Sequence, residues 1–262
     1  MSTYDSLEVS HDDGVAAVRF ADPDARNALD LDTADELLRA ATELGADADV
    51  RCILLTHDSD FYCTGADLTQ LDGDDGDAPY IRQLAGRLHD AVIQFQQADT
   101  PVVGGIDGVA AGAGFGLALV PDYLVVSDQA RLEFAYQRIG LTGDGGSTFF
   151  LPRLVGLRAA KELVLTDEPI GPERAVDLGL ANEVVPADEF DDRLEEFAAD
   201  LAEGPTHALG NTMRLLTESF GRGLEPQLAA ETDTIAEATR TEDFRRGLEA
   251  FFRDGDPEFV GE

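Results

Sequence analysis

Residues 100–122 read TPVVGGIDGVAAGAGFGLALVPD, and no other stretch of the chain limits its possible folds as tightly. Pro101 opens a short apolar run over 102–106 that suits a buried strand. Gly108, Gly112, Gly114 and Gly116 follow, then an apolar segment over 117–120 and a stop at Pro121. The pattern predicts strand, loop, helix. Glycines crowded at a helix start let another molecule approach the backbone, where the first turn presents amide N–H groups without partners. An electron-rich ligand is expected there.

A dinucleotide site needs Gly-x-Gly-x-x-Gly opening a helix, but after Gly112 and Gly114 the third position is Leu117. A Walker-type phosphate loop needs Gly-Lys-Ser/Thr, which does not follow. Two readings stay open: glycines that only let a helix pack closely, and N–H donors aimed at a carbonyl that becomes an oxyanion. The second needs another donor elsewhere, and the segment DSDFYCTGADL over 58–68 offers one. It follows an apolar strand pattern over 51–56, and Thr64, Gly65 and Ala66 read as a tight turn entering a helix at Ala66. If the two loops face each other, amides near Ala66 and near Ala113 clamp one oxygen.

At 262 residues with 44% apolar side chains, the chain has the size and composition of a folded domain with a real core. No stretch reaches the roughly 18 apolar residues of a membrane span. MSTYDSLEVS lacks the basic start and apolar core of a signal peptide, so a cytoplasmic location is expected. Cys52 and Cys63 have no C-x-x-C spacing and read as reduced, and His11, His57, His89 and His207 lack metal-ligand spacing, so no metal is expected.

Acidic residues number 53 against 19 basic ones, and Lys161 is the only lysine. Such a surface repels phosphates, which excludes nucleic acid as the expected partner. The acids are spread through periodic segments and do not form a tail. Their mutual repulsion is severe in dilute buffer and small at molar salt, where the Debye length is about 3 Å. A salt-filled cytoplasm is therefore expected. Dialysis into roughly millimolar salt should lower both the melting temperature and the activity; an unchanged melting curve would sink the salt reading.

The remaining chain reads regularly. A hairpin is predicted from 7–9 and 15–20, and a helix capped by Asp30 or Asp32 runs to about Leu44. Residues 71–78 read as an acidic loop, and a long helix over 79–97 carries Ile81, Leu84, Leu88, Ala91, Val92 and Phe95 on one face, with His89 beside that stripe. Asp144 precedes Gly145, Gly146 and Ser147 and a further helix; an Asp so placed reads first as an N-cap. After Pro186 the chain is helical almost to its end. The expected division is a core over 1–190 and a helical oligomerisation region over 191–262.

Four segments, RNALD at 26–30, FYCTGADL at 61–68, PVVGGIDGVAAGAGFGLAL at 101–119 and GLTGDGGSTFFLPRLVG at 140–156, together resemble the crotonase, or enoyl-CoA hydratase/isomerase, superfamily. The resemblance covers nearly the whole chain. It implies an α/β fold, a spiral of repeated ββα units, with a helical C-terminal part that builds trimers or dimers of trimers. It implies an acyl-CoA thioester as ligand, with no separate cofactor because coenzyme A is part of the substrate. The thioester carbonyl would be held by the amides of Ala66 and Ala113, beside Gly112. Arg26 and Ala28 match the loop at the CoA nucleotide, and the backbone around Thr64, Ala66 and Leu68 matches the adenine contact. Phe251 matches a C-terminal residue that reaches a neighbouring subunit's CoA.

Hydratases of this family carry two glutamates, and Gly116 and Tyr136 stand at those places here. Asp144 instead matches the single Asp of the family's isomerases, including the ring-1,2-epoxyphenylacetyl-CoA isomerases. The resemblance thus implies an isomerase in which Asp144 takes a proton at C2 and returns it at C4, with His89 and Tyr136 beside the acyl group. A 2-enoyl-CoA hydratase with acids from the loop after Leu68, a non-catalytic acyl-CoA binder, and a dehalogenase using Asp144 and His89 are the alternatives. The dehalogenases carry a tryptophan where Tyr136 stands, and this chain has none.

Overall fold

The computed structural model describes residues 4–261; residues 1–3, the head of the segment read for a leader, and residue 262 lie outside the described residues. The chain opens with a hairpin of β1 (Leu7–Asp12) and β2 (Val15–Phe20), then α1 (Leu31–Gly45). Asp30, not Asp32, is the cap of α1, its carboxylate accepting from the Thr33 amide at 2.8 Å.

Three repeats follow, each a pair of strands and then a helix. They are β3 (Cys52–His57), β4 (Phe61–Cys63) and α2 (Asp77–Gln97); β5 (Val102–Ile106), β6 (Val109–Ala111) and α3 (Ala113–Ala118); and β7 (Tyr123–Ser127), β8 (Arg131–Glu133) and α4 (Ser147–Leu154). The first strand of each pair joins a six-stranded sheet, ordered β1-β2-β3-β5-β7-β9, with β9 at Glu183–Val185. The second joins a three-stranded sheet, β4-β6-β8, which is parallel throughout. This is the ββα spiral. Between α4 and β9 stand α5 (Leu157–Thr166) and α6 (Pro172–Leu178).

The larger core lies between the two sheets and helices α1 to α3, and Phe20, Leu37, Ile53, Tyr62, Phe115 and Leu132 are all but solvent-free within it. A second core lies on the other face of the large sheet, where α7 (Phe190–Ala202) sets Phe190, Leu194, Ala198 and Ala202 against Cys52, Leu54, Val103 and Val125. The chain ends in α8 (Thr206–Ser219), α9 (Leu224–Ala238) and α10 (Glu242–Arg253). Among the described residues no helix is long and apolar enough to cross a membrane.

The helix expected at Ala66 does not form. Ala66 pairs with Leu29 in a parallel bridge and is held extended, and only one turn of 3-10 helix follows at Leu68–Gln70. The Asp- and Gly-rich run beyond it has poor helix propensity. That acidic loop is nevertheless pinned: Asp77 accepts from the amides of Asp72 and Gly73 at 3.0 and 2.8 Å, and α2 begins at Asp77, two residues before Pro79.

Candidate active site

The small sheet explains why distant segments meet. Its strands are parallel neighbours, so the turns after β4, β6 and β8 emerge side by side at one end, the carboxyl ends of the strands, where α/β proteins commonly bind ligands. Those turns are Thr64–Ala66, Gly112–Ala113 and Ala135–Tyr136. A cavity of about 330 Å³ opens there, lined by all of them, by Leu84 and Leu88 of α2, and by Gly143 and Asp144.

The first two turns touch. A Cβ built on Gly65 would lie 3.1 Å from both the Ala113 amide nitrogen and the Ala111 carbonyl. Leu29 donates to the Gly65 carbonyl at 2.7 Å and Asp67 donates to the Leu29 carbonyl at 2.8 Å. In a parallel bridge of this kind the residue between, Ala66, turns its own N–H away from the partner segment. Ala113 is the first residue of α3, and its N–H belongs to the set no helix can pair internally. Two amides without a partner among the described residues thus stand on adjoining turns lining one cavity.

Asp144 does not cap α4. Gly146, in the left-handed region with φ of 79°, occupies the cap, and the Asp144 carbonyl takes the Ser147 amide at 3.0 Å. Its carboxylate is therefore released toward the cavity, where Oδ1 lies 2.5 Å from His89 Nε2. Sequence reasoning placed both residues near the site but missed the pair. The signal was faint: only the packing of α2 against the loop over 143–146 brings positions so far apart in the chain together. Among the described residues Asp144 is the only carboxylate lining the cavity, and none of the acids over 72–77 reaches it.

Tyr136 is buried beside Asp144, with its hydroxyl close to the Asp144 backbone and the Ser147 side chain. Burial, reinforced by the negative charge of Asp144, pushes the phenol well above its ordinary range, so it stays neutral at physiological pH. Arg138 at the cavity wall is tied to Glu133 and, at 2.6 Å, to Asp167; the first of these holds the turn after β8 to its own strand.

The other expected contacts scatter. Thr64 lines the cavity, and its hydroxyl donates to the Arg26 carbonyl at 3.1 Å. That joins the loop of Arg26 and Ala28 to the first turn. Arg26 is exposed and lies over the Phe61 ring at 5.5 Å, while Leu68 lines the cavity mouth. Phe251 is 77% exposed on α10 and lines no part of this cavity, so within one chain it stands outside the site. Cys63 is buried, and burial pushes its thiol up to about 12, which leaves it protonated and unfit as a nucleophile. Native protein should accordingly resist thiol alkylation at neutral pH while urea-unfolded protein reacts fully; rapid labelling of Cys63 in the folded state would refute this burial.

Together these features define an α/β scaffold with paired amide donors and one carboxylate around a small cavity. A family model described as enoyl-CoA hydratase/isomerase matches residues 10–262. The chain is 31% identical to 4-chlorobenzoyl coenzyme A dehalogenase-2 of an Arthrobacter species, over 94% of this chain and 90% of that protein. It is 30% identical to the 1,2-epoxyphenylacetyl-CoA isomerase of Escherichia coli K12, covering 95% of both. Proteins named as enoyl-CoA hydratases stand beside them at similar identity. A crystal structure of an enoyl-CoA hydratase/isomerase from Cupriavidus metallidurans superposes with a TM-score of 0.91 at 30% identity, over 100% of this chain and 98% of that one. The protein belongs to the enoyl-CoA hydratase/isomerase family, within the crotonase superfamily. Its relatives carry the names of different reactions, so the chemistry has to be argued from its own residues.

Proposed function

We propose that the protein is an acyl-CoA isomerase that moves a double bond from the 3-enoyl to the 2-enoyl position, or rearranges a ring acyl-CoA, through an enolate. In the first case the Asp144 carboxylate removes a proton from C2. The electron pair passes into a dienolate whose oxygen is held by the Ala66 and Ala113 amides, and the same acid returns the proton to C4 as the C2–C3 double bond forms. One acid serves both transfers, and no water is consumed.

The observation that carries this reading is the crowding at Gly116. A Cβ there would lie 2.6 Å from the Gly145 carbonyl oxygen, so the glutamate that hydratases carry at this place has no room against the loop bearing Asp144. With Tyr136 at the second position and a single carboxylate lining the cavity, water addition lacks its acid–base pair. The exposed Phe220, Leu224, Leu228, Ile235, Phe251 and Phe252 of the helical end support assembly of copies into the trimer or paired trimers that the family resemblance implies.

The His89–Asp144 pair favours a second reading, in which the Asp144 carboxylate adds to the halogen-bearing carbon of an aroyl-CoA, halide leaves to give an aryl ester, and water deprotonated by His89 cleaves that ester to release the hydroxyaroyl-CoA and free Asp144. The missing tryptophan weighs against it. The test is to incubate the protein at molar salt with a 3-enoyl-CoA, a 2-enoyl-CoA and a 4-halobenzoyl-CoA. Appearance of the conjugated 2-enoyl thioester, with deuterium from a C2-labelled substrate carried to C4, is the expected result. Halide release without isomerisation would establish the second reading, and 3-hydroxyacyl-CoA as the main product would restore the hydratase.

A further inference from the structure

The turn after β8 is held from outside the small sheet. Ala135 has a left-handed backbone with φ of 59°, and among the described residues it is the only non-glycine at positive φ without a polar side chain. A residue in that region persists only where its surroundings hold it. The support comes from Asp167, the residue that ends α5, whose Oδ1 accepts the Ala135 amide at 2.9 Å. Asp167 also binds Arg138, further along the same turn: Nε donates to Oδ2 at 2.6 Å and Nη2 to the Asp167 carbonyl at 3.2 Å. Arg138 Nη1 pairs with the buried carboxylate of Glu133, so all three guanidinium nitrogens are engaged. The segment that carries Asp167 is itself laid along β8, where Leu132 and Ile170 exchange backbone hydrogen bonds at 3.0 and 2.8 Å.

We infer that Asp167 is a positioning residue of the acyl-CoA site: from the end of α5 it fixes the turn that sets Tyr136 against the loop of Asp144. This rests on the reading above, in which Asp144 is the acid, and adds to it a residue outside the cavity. Tyr136 and Arg138 both line the cavity, and the Tyr136 hydroxyl lies beside the Asp144 backbone. A displaced turn therefore moves the wall against which the acid is set. Merely ending α5 does not need the carboxylate. The cap bond is made by the Asp167 amide, which donates to the Leu163 carbonyl at 3.0 Å, and its φ of 49° suits glycine or asparagine as well. The side chain is 10% exposed, and both of its oxygens are spent on the turn after β8.

Asp167→Gly removes the carboxylate and keeps the helix cap, whereas Asp167→Asn keeps an oxygen for the Ala135 amide and loses only the charge facing Arg138. In Asp167→Gly, kcat for a 3-enoyl-CoA at molar salt is expected to fall by about tenfold to 100-fold, as for a reacting group displaced by about 1 Å. The dissociation constant of butyryl-CoA, measured by calorimetry, should stay close to wild type, and Asp167→Asn should recover most of the rate. The turn is followed independently of turnover by fluorine NMR of the full chain labelled with 3-fluorotyrosine. Of the five tyrosines, Tyr136, assigned by its absence in Tyr136→Phe, should shift in Asp167→Gly while the others stay in place. Arg138→Met, which cuts the tie from the other side, should move the same resonance. Wild-type kcat in Asp167→Gly, or a Tyr136 resonance unmoved in both variants, would overturn the inference. A resonance that shifts in Asp167→Gly and returns in Asp167→Asn, in a protein that isomerises no enoyl-CoA, would uphold the clamp on the turn and remove the isomerase.

Discussion

Asp144→Asn is expected to lower isomerisation of a 3-enoyl-CoA by about 100- to 10,000-fold, the usual contribution of a positioned acid–base group. The substitution keeps the shape of the side chain and removes its capacity to take and return a proton. Because Asp144 does not cap α4, the helix start is untouched: Gly146 and the Asp144 carbonyl do that work. The loss should therefore fall on kcat, with affinity for a saturated acyl-CoA held close to wild type. Deuterium exchange at C2 should vanish in parallel with turnover. Wild-type turnover in this variant would exclude Asp144 as the base.

Ala113→Pro is expected to cost about 100- to 1,000-fold in turnover, the typical effect of removing one oxyanion donor. Proline is tolerated at the first helical position, where its missing N–H leaves no helix bond unmade. Ala113 occupies that position in α3, so the variant deletes the donor with little harm to the fold. A melting temperature near wild type alongside the loss of kcat separates the lost amide from a distorted loop. Ala113→Gly, which keeps the N–H, should restore most of the rate. Full activity in Ala113→Pro would mean that the thioester oxygen is held elsewhere.

Much of the architecture was legible in the residues because it depends on local periodicity. The apolar run over 102–106 is β5 in the structure, the alternating segment over 15–20 is β2, and the stripe on α2 buries Leu84, Leu88, Ala91, Val92 and Phe95 as its 3.6-residue period requires. Ala66 defeated the same reasoning. Its neighbours read as a helix entry, yet a strand-like bridge to Leu29, set by the loop that carries Arg26, overrides local propensity.

Glycine spacing alone marked the two amide-bearing turns, whereas Asp144 read from its neighbours as an N-cap and was singled out as an acid only through the family resemblance. Only the folded molecule decided two things: that Asp144 faces His89 instead of capping its helix, and that Gly116 leaves no space for a glutamate. Each depends on how α2 and α3 pack against one loop. Contacts between segments that far apart leave no period or spacing in the sequence by which to foresee them.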